Sequence, residues 1–191
     1  NVTGAGLAGC EGALYLAKRG VAVRLFEQKP LVYSPAHKSA GFAELVCSNS
    51  LKADRLDSAS GLLKAEMKML GDSLLEAAEA CRVAAGGALA VDRDRVSETV
   101  TAMVRGQENI EIVNEEVTAI DESEVTIVAS GPLTQGALAE EIGRLTGGQR
   151  LSFYDAAAPI VTADSLDMTK IFAASRYGRG EADYLNCPFD K

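Results

Sequence analysis

The sequence contains no tryptophan, a single histidine (His37) and four cysteines, and no apolar run in it is long enough to span a bilayer. The cysteines form no CxxC pair and no group with His37 at metal-ligand spacing, which excludes a typical zinc site and a disulfide framework. No basic leader with a cleavage site is evident. We therefore expect a cytoplasmic protein, not bound to a membrane, in which the cysteines are free thiols. They are Cys10, Cys47, Cys81 and Cys187.

An excess of positive charge is also missing. The 191 residues carry a formal net charge of −8, which opposes unassisted binding to a polyanion such as a nucleic acid. The basic residues are scattered, so any nucleic-acid surface is expected to be local or to lie elsewhere. With 47% hydrophobic residues, the chain is large enough for one full core and part of a second domain.

A glycine-rich turn near the start of the chain is the most informative feature that is present. Gly4 permits a tight turn, Gly6 lets a pyrophosphate approach the backbone, and Gly9 lets the following helix pack closely on the sheet. A second strand, residues 21–26, brings Glu27 to its carboxyl end, where the carboxylate can accept hydrogen bonds from a ribose. These features predict an adenine dinucleotide site in an α/β doubly wound fold, formed by Glu27 and by Gly4, Ala5, Gly6, Leu7, Ala8 and Gly9.

The remaining patterns give a coarse outline of the chain. The first strand, residues 1–3, is short for a central strand, so residues are expected to precede it. Residues 30–60 lack periodicity and predict a long functional or disordered loop. A helix that begins at Leu62 is predicted to pack an apolar stripe into the core: Leu63, Met67, Leu70 and Leu74.

Further along, a strand at 88–91 precedes a helix that Asp92 caps and that runs to about Val104. Three strands are then predicted, at 110–113, 117–120 and 125–129. The turn Ser130-Gly131-Pro132 follows the last of them and leads into a helix at 133–145, which predicts that the turn faces the dinucleotide. A change of composition predicts a domain boundary near Arg150, between domains 1–150 and 151–191.

Several short motifs, spread in order over the whole chain, resemble one family. They are GAGLAG at 4–9, PAH at 35–37, FAELVCSNSL at 42–51, AGGALAVDR at 85–93, NEEV at 114–117, GPLT at 131–134, FYDA at 153–156 and YLNCP at 184–188. The chain resembles the folate- and FAD-dependent tRNA (uracil-5-)-methyltransferases, which are related to the glucose-inhibited division protein A group. The segments around Cys47 and Asp92 are the most specific, since many flavoproteins share the glycine motif.

The resemblance implies that the dinucleotide is FAD and that the product is 5-methyluridine in the T loop of tRNA. It implies methylenetetrahydrofolate as the carbon donor and flavin, reduced by NAD(P)H, as the source of electrons. It also implies a Rossmann-like FAD-binding domain followed by the start of an inserted α+β domain, with a second catalytic cysteine in a later part of the protein. We expect these 191 residues alone to be inactive, and we make no prediction of their oligomeric state.

The resemblance also extends the set of candidate site residues. Cys47 matches the first cysteine of the family, and the cofactor-binding positions gain Gln28, Lys29, Ser48, Asn49, Val117, Ser130, Gly131 and Pro132. Uracil C5 becomes nucleophilic when a thiolate adds at C6, which gives a reason for a cysteine. The role of Cys47 stays open between this addition, proton transfer and holding a flavin adduct, and the alternative is an inert buried thiol.

Other candidates have two readings each. His37 is expected to polarise a thiol or contact a phosphate, or else to be solvated. Lys29 is a candidate to pair with the adenosine side of the cofactor. Ser48 and Asn49 either bond the flavin ring or cap the turn after Cys47. Two arginines, Arg176 and Arg179, either contact RNA phosphate or belong to a solvated loop.

Two rival functions remain. One is that of the flavin-dependent proteins that modify the anticodon wobble uridine, but these usually carry Cys-Asn-Pro where this chain has Cys47-Ser48-Asn49. The other is a generic FAD oxidoreductase that acts on a small molecule, which the acidic charge would suit. Activity that requires both folate and tRNA would distinguish the tRNA methyltransferase from a generic FAD oxidoreductase.

Overall fold

The computed structural model of the protein describes residues 1–148, 161–175 and 181–188. Its helices are α1 (Leu7–Ala17), α2 (Ala59–Met69), α3 (Ser73–Ala80), α4 (Arg93–Arg105) and α5 (Gly136–Leu145), with a short 3-10 helix at Ala163–Ser165. Its strands are β1 (Val2–Thr3), β2 (Val23–Phe26), β3 (Ser50–Ala53), β4 (Arg82–Val83), β5 (Ala88–Val91), β6 (Ile110–Val113), β7 (Ile127–Val128), β8 (Phe172–Ala174) and β9 (Tyr184–Asn186).

Four parallel strands in the order β6-β2-β1-β7 form the main sheet. Val2 of β1 stands opposite Leu25 of β2 on one side and Ile127 of β7 on the other. The strand order reverses at β1, and α1 connects β1 to β2. This is the Rossmann-like arrangement that the glycine motif predicted, and it opens a crevice at the carboxyl ends of β1 and β7.

The core lies between this sheet and the helices α1, α3 and α4. Helix α1 buries small and apolar residues at helical spacing, Cys10, Ala13, Leu14 and Ala17. Helix α4 begins after Asp92, whose side chain accepts a hydrogen bond from Arg95 N at 3.1 Å, which confirms the predicted cap. Val96, Val100 and Val104 form its buried stripe.

The segment between β2 and α2 is more ordered than its composition predicted. Ser50–Ala53 forms β3, which pairs antiparallel with β5 in a second sheet of order β3-β5-β4. Phe42, Ala43 and Leu45 are buried in the core, although they belong to no helix or strand. The prediction of a long functional or disordered loop over 30–60 was therefore wrong at 50–53, because tertiary packing gives order to a segment without periodicity.

The single helix predicted from Leu62 was also wrong. The chain forms two helices, because Gly71 takes a positive φ of 84° after α2 and Asp72 caps α3. Leu63 of α2 and Leu70, which follows it, are 55% and 70% exposed, whereas Met67 and Leu74 are partly buried against the core, so only part of the predicted stripe packs inward. The buried residues of α2 are Gly61 and Lys64, and Lys64 Nζ donates to Ala53 O and Ser60 O at 2.9 and 3.1 Å.

Three strand and helix boundaries differ from their predictions. Residues 117–120 form no strand, since they are partly exposed and no strand in the described part of the chain pairs with them. Strand β7 covers only Ile127–Val128. Helix α5 begins at Gly136 and not at residue 133, because the turn that begins at Ser130 is three residues longer than predicted. The predicted domain boundary near 150, the FYDA motif, Arg176 and Arg179 lie outside the described residues.

Strands β8 and β9 form an antiparallel hairpin that contacts the loop before β5. The Tyr184 hydroxyl donates to Ala85 O at 2.9 Å, and Asp183 Oδ2 accepts from Gly86 N at 2.7 Å. Within the described ranges, the helices are all too short or too polar to cross a membrane.

Helices α1 and α3 are joined by a carboxylate. Glu11 accepts hydrogen bonds from Ser73 N and Leu74 N at 3.0 Å each, and Lys18 Nζ donates to Ser73 Oγ at 2.7 Å. These amides are at the N-terminus of α3, where their donors lack helical partners. Burial raises the pKa of Glu11 although both hydrogen bonds oppose this. Glu11 of α1 thus satisfies main-chain amides at the N-terminus of α3 that have no partner within that helix.

We expect Glu11→Ala to lower the free energy of unfolding by about 1–3 kcal/mol, because it leaves two part-buried amides unsatisfied. Glu11→Gln keeps an acceptor and should cost much less. Since its pKa is raised, wild-type stability should fall as pH rises from the unfolded toward the folded pKa of Glu11, and the Gln variant should lack this dependence. Urea unfolding of the three proteins at several pH values measures both effects, and an Ala variant as stable as wild type contradicts them.

Candidate functional site

A cleft of about 400 Å³ lies at the carboxyl ends of β1, β2 and β7. Its floor is the turn between β1 and α1, one wall follows β2, and the other wall follows β7. Most of the predicted cofactor-binding residues line it: Gly4, Ala5, Gly6, Leu7, Ala8, Glu27, Gln28, Lys29, Val117, Ser130, Gly131 and Pro132. The crevice that the topology creates is therefore lined by the residues that the motifs selected.

The floor of the cleft is the N-terminus of α1. Gly6 is the N-cap residue, and neither a capping side chain nor an acidic side chain occupies the first turn of this helix. A Cβ added at Gly6 would meet no atom within 4 Å, so the space above this residue is open. Unpaired amides at a helix start attract anions, and here nothing in the helix competes with one.

The other two glycines of the motif are needed for packing. Gly4 has a φ of +97°, and a Cβ there would lie 2.7 Å from Ala129 O at the end of β7. A Cβ at Gly9 would lie 1.8 Å from Gly4 O. These contacts confirm the predicted close approach of α1 to the turn, and they place Gly9 beneath the cleft floor.

Glu27 joins the glycine turn to the end of β2. Its Oε2 accepts from Ala5 N at 2.8 Å, and its Oε1 accepts from Lys29 N at 2.9 Å. The residue is only 7% exposed, but it lines the cleft. A carboxylate offers about four lone-pair sites, so acceptor capacity remains for the hydroxyls of a ribose.

The side chain of Lys29 turns toward residues 38–44. Its Nζ donates to Gly41 O and lies 3.7 Å from Glu44 Oε2. Glu44 in turn accepts from Lys38 N and Ser39 N at 2.9 and 3.2 Å. This polar cluster was not predicted, because nothing in the sequence shows that a residue after β2 meets one fifteen positions later.

The wall after β7 is a tight turn. Thr134 Oγ1 lies 2.7 Å from Ser130 Oγ and 2.6 Å from Gly131 O. The predicted turn does return to the edge of the sheet beside Gly4, since a Cβ added at Gly4 would lie 2.9 Å from Ser130 Cα. Sequence reasoning missed Thr134 and several further lining residues: Val32, Tyr33, Ser34, Glu44, Val46, Glu115, Glu116, Leu133, Gln135 and Leu138. Their common signal is that they follow the carboxyl end of a parallel strand.

Cys47 is exposed and follows Val46, which lines the cleft. The preceding residues are firmly attached: Phe42 N donates to Thr101 Oγ1 at 2.8 Å, Ser97 Oγ donates to Phe42 O at 2.6 Å, and Ala43 N donates to Ala5 O at 2.8 Å. The structure therefore connects the cysteine-bearing segment directly to the glycine turn and excludes a buried position for Cys47.

The two residues after Cys47 bond to different parts of the main chain. Ser48 Oγ accepts from Ser50 N at 3.0 Å, and Asn49 O accepts from Val91 N at 2.9 Å. Neither Ser48 nor Asn49 lines the cleft. His37 does line it, and its Nδ1 forms a hydrogen bond of 2.6 Å with Ser34 Oγ.

The four thiols have different surroundings. Cys10 is buried beneath the glycine turn, where its Sγ donates to Ala5 O at 3.3 Å, and burial raises the pKa of this thiol to about 12. Cys81 is also buried, whereas Cys187 is exposed like Cys47. Among the described residues no cluster of His, Cys, Asp and Glu forms a metal site.

Comparison with known proteins gives a consistent result. The family model for glucose inhibited division protein A matches residues 1–191. Proteins named methylenetetrahydrofolate–tRNA-(uracil-5-)-methyltransferase TrmFO from Citrifermentans bemidjiense and Acetivibrio thermocellus are 59% and 55% identical over 191 residues. In both cases the match covers 100% of this chain and 44% of the relative, so the chain spans less than half the length of these relatives.

A solved structure shares the fold. The structure of Aquifex aeolicus GidA superposes with a TM-score of 0.50 and 22% sequence identity, covering 63% of this chain and 20% of that one. At this identity the likeness concerns the fold, which agrees with the Rossmann-like sheet described above.

The glycines of the cleft provide a matched pair of variants. Gly9→Ala should lower the free energy of unfolding by about 3 kcal/mol or more, since its Cβ would overlap Gly4 O. Gly6→Ala should cost no more than about 1 kcal/mol, because the site is open and only N-cap preference is lost. Thermal unfolding of both variants tests this difference, and equal midpoints would contradict the packing described for Gly9.

Proposed function

This chain belongs to the family of glucose inhibited division protein A, and from that premise we propose that it is the cofactor-binding part of a methylenetetrahydrofolate-dependent tRNA (uracil-5-)-methyltransferase. The observation that carries the proposal is the 59% identity to a protein of that name along the full 191 residues. The name also favours this activity over wobble-uridine modification and over oxidation of a small molecule.

We propose FAD as the dinucleotide, and the residues of the cleft fit it. The open space above Gly6 lies at the start of α1, where a diphosphate can approach unpaired amides. Glu27 stands at the end of β2 with acceptor sites remaining for a ribose. A site with no space above Gly6, or with a cation in place of Glu27, would not fit this group.

The chain's own residues have distinct tasks in this proposal. Gly4 to Ala8 hold the diphosphate, Glu27 holds the ribose, and Gln28 with the main chain of Lys29 borders the adenosine. Val117, Ser130, Gly131 and Pro132 close the cleft from the other side. Ser48 and Asn49 remain proposed contacts of the flavin ring, reached from the cysteine-bearing segment. When bound, the flavin supplies the electrons that turn the transferred carbon into a methyl group.

Cys47 is the proposed catalytic residue. Uracil C5 attacks an electrophilic carbon only after its ring has been activated, and a thiolate adding to C6 provides that activation. An exposed thiol next to a cleft-lining residue is accessible to such a base, whereas the buried Cys10 with its raised pKa is not. Proton transfer by Cys47 is the alternative task at the same position.

The partners follow from the activity. The proposed substrate is the T loop of tRNA, the carbon donor is methylenetetrahydrofolate, and NAD(P)H is the reductant of the flavin. We place the protein in the cytoplasm, where tRNA is modified. Because this chain carries a net charge of −8, we assign the main RNA-binding surface to parts of the protein beyond these 191 residues.

Binding of FAD is the first test. We expect the purified protein to take up FAD, with a flavin absorption spectrum, and we expect Gly6→Ala to weaken FAD affinity by about tenfold or more, because its methyl group fills the space where the diphosphate approaches. Gly20→Ala changes a glycine away from the cleft and serves as a control for a general loss of stability. An unchanged FAD affinity in Gly6→Ala would contradict the proposed position of the diphosphate.

Methyl transfer is tested in a fusion of this chain to the remaining part of the Citrifermentans bemidjiense relative. With methylenetetrahydrofolate, FAD and NAD(P)H, the fusion should form 5-methyluridine in T-loop RNA. Cys47→Ala should reduce the rate by at least about a hundredfold while FAD still binds. Cys187→Ala is the matched control with an exposed thiol, and full activity of the Cys47 variant would remove this residue from the mechanism.

A further inference from the structure

We infer that Lys29 is a positioning residue, whose side chain fixes the segment bearing Cys47 relative to the dinucleotide cleft and makes no contact with the cofactor. This inference rests on the proposed function, since it assigns Cys47 and FAD to one site. It concerns a buried polar cluster formed by Lys29, Gly41 and Glu44.

The side chain of Lys29 points into the protein and away from solvent. Although Lys29 follows the ribose-binding acid by two residues, its side chain is only 5% exposed. The ammonium group donates to Gly41 O and faces Glu44, whose side chain is 13% exposed. A lysine whose charge is already satisfied on the inside of the protein has little to offer to a ligand in the cleft.

This cluster is connected to the segment that bears Cys47. Glu44 also accepts from Lys38 N and Ser39 N, so Lys29 and Glu44 together hold both ends of residues 38–44. Three residues after Glu44 comes Cys47. The main chain of Lys29 donates to Glu27 Oε1, so one residue contacts the ribose-binding acid through its backbone and the cysteine-bearing segment through its side chain.

The same segment contains a residue in an uncommon backbone conformation. Ala43 has a φ of +49°, an uncommon value for a residue other than glycine, and its amide donates to Ala5 O. Such a conformation persists only where the surroundings hold it in place. Lys29 contacts the segment on either side of Ala43, at Gly41 and Glu44, in addition to the hydrogen bonds that α4 makes to Phe42.

The test compares hydrogen exchange and ligand binding in variants of Lys29. Lys29→Met keeps the length of the side chain and removes its charge, Lys29→Arg keeps the charge, and Lys38→Met removes an exposed lysine of the same segment as a matched control. Hydrogen exchange measured by mass spectrometry reports on residues 38–47, and calorimetry with ADP reports on the adenosine end of the cleft.

In Lys29→Met we expect amide exchange in residues 38–47 to be faster by about fivefold or more, with exchange in α1 and β6 unchanged. ADP affinity should stay within about twofold of wild type, because Glu27 and the main chain of residue 29 are retained. Lys29→Arg keeps the positive charge and should retain slow exchange. If the side chain only filled space, Lys29→Met would retain slow exchange as well. Lys38→Met should resemble wild type. Unchanged exchange in Lys29→Met, or an ADP affinity that falls tenfold, would overturn the inference.

A second variant covers the case in which Lys29→Met exchanges rapidly throughout and has therefore not folded. Glu44→Gln removes the charge from the other side of the pair and should raise exchange in the same segment, and an unchanged segment there would overturn the inference. None of these readouts requires methyl transfer. If wild type binds neither ADP nor FAD, the cofactor proposal fails, and the exchange data alone then decide whether Lys29 holds the segment.

Discussion

The carboxylate of Glu27 is the interaction on which the rest of the site depends. It accepts one hydrogen bond from the glycine turn and one from the main chain after β2, so two loops that belong to different strands share one acceptor. Both bonds are buried, and a carboxylate forms stronger hydrogen bonds with backbone amides than a neutral acceptor does. The position of the turn, and hence of the first amides of α1, follows from this contact.

The same geometry explains why the cleft and the segment that bears Cys47 lie together. Ala5 donates to Glu27 through its amide and accepts from Ala43 through its carbonyl, so the glycine turn contacts both β2 and the cysteine-bearing segment. Lys29 joins the same two regions from the other side. A segment without regular secondary structure is thereby placed by polar contacts to the cleft as well as by its buried Phe42 and Leu45.

Local sequence patterns correctly predicted those features of the fold that depend on residues close together in the chain. The glycine turn, the acid after β2, the cap at Asp92 and the stripe of α4 each reflect a backbone requirement within a few residues, and the structure has all of them. The predictions that were wrong concern residues whose conformation depends on contacts outside the local sequence pattern. Lys64 faces inward because Ala53 O and Ser60 O accept hydrogen bonds from its ammonium group. Residues 117–120 form no strand because, among the described residues, no strand pairs with them.

The central claim is that Glu27 receives the ribose of an adenine dinucleotide. Calorimetry that compares ADP with adenosine 2′,5′-bisphosphate tests it most directly, because a carboxylate that accepts a 2′-hydroxyl repels a phosphate at that position. We expect that ADP binds and that the 2′-phosphorylated nucleotide binds at least about tenfold more weakly. Equal affinities, or tighter binding of the 2′-phosphate, would contradict the claim.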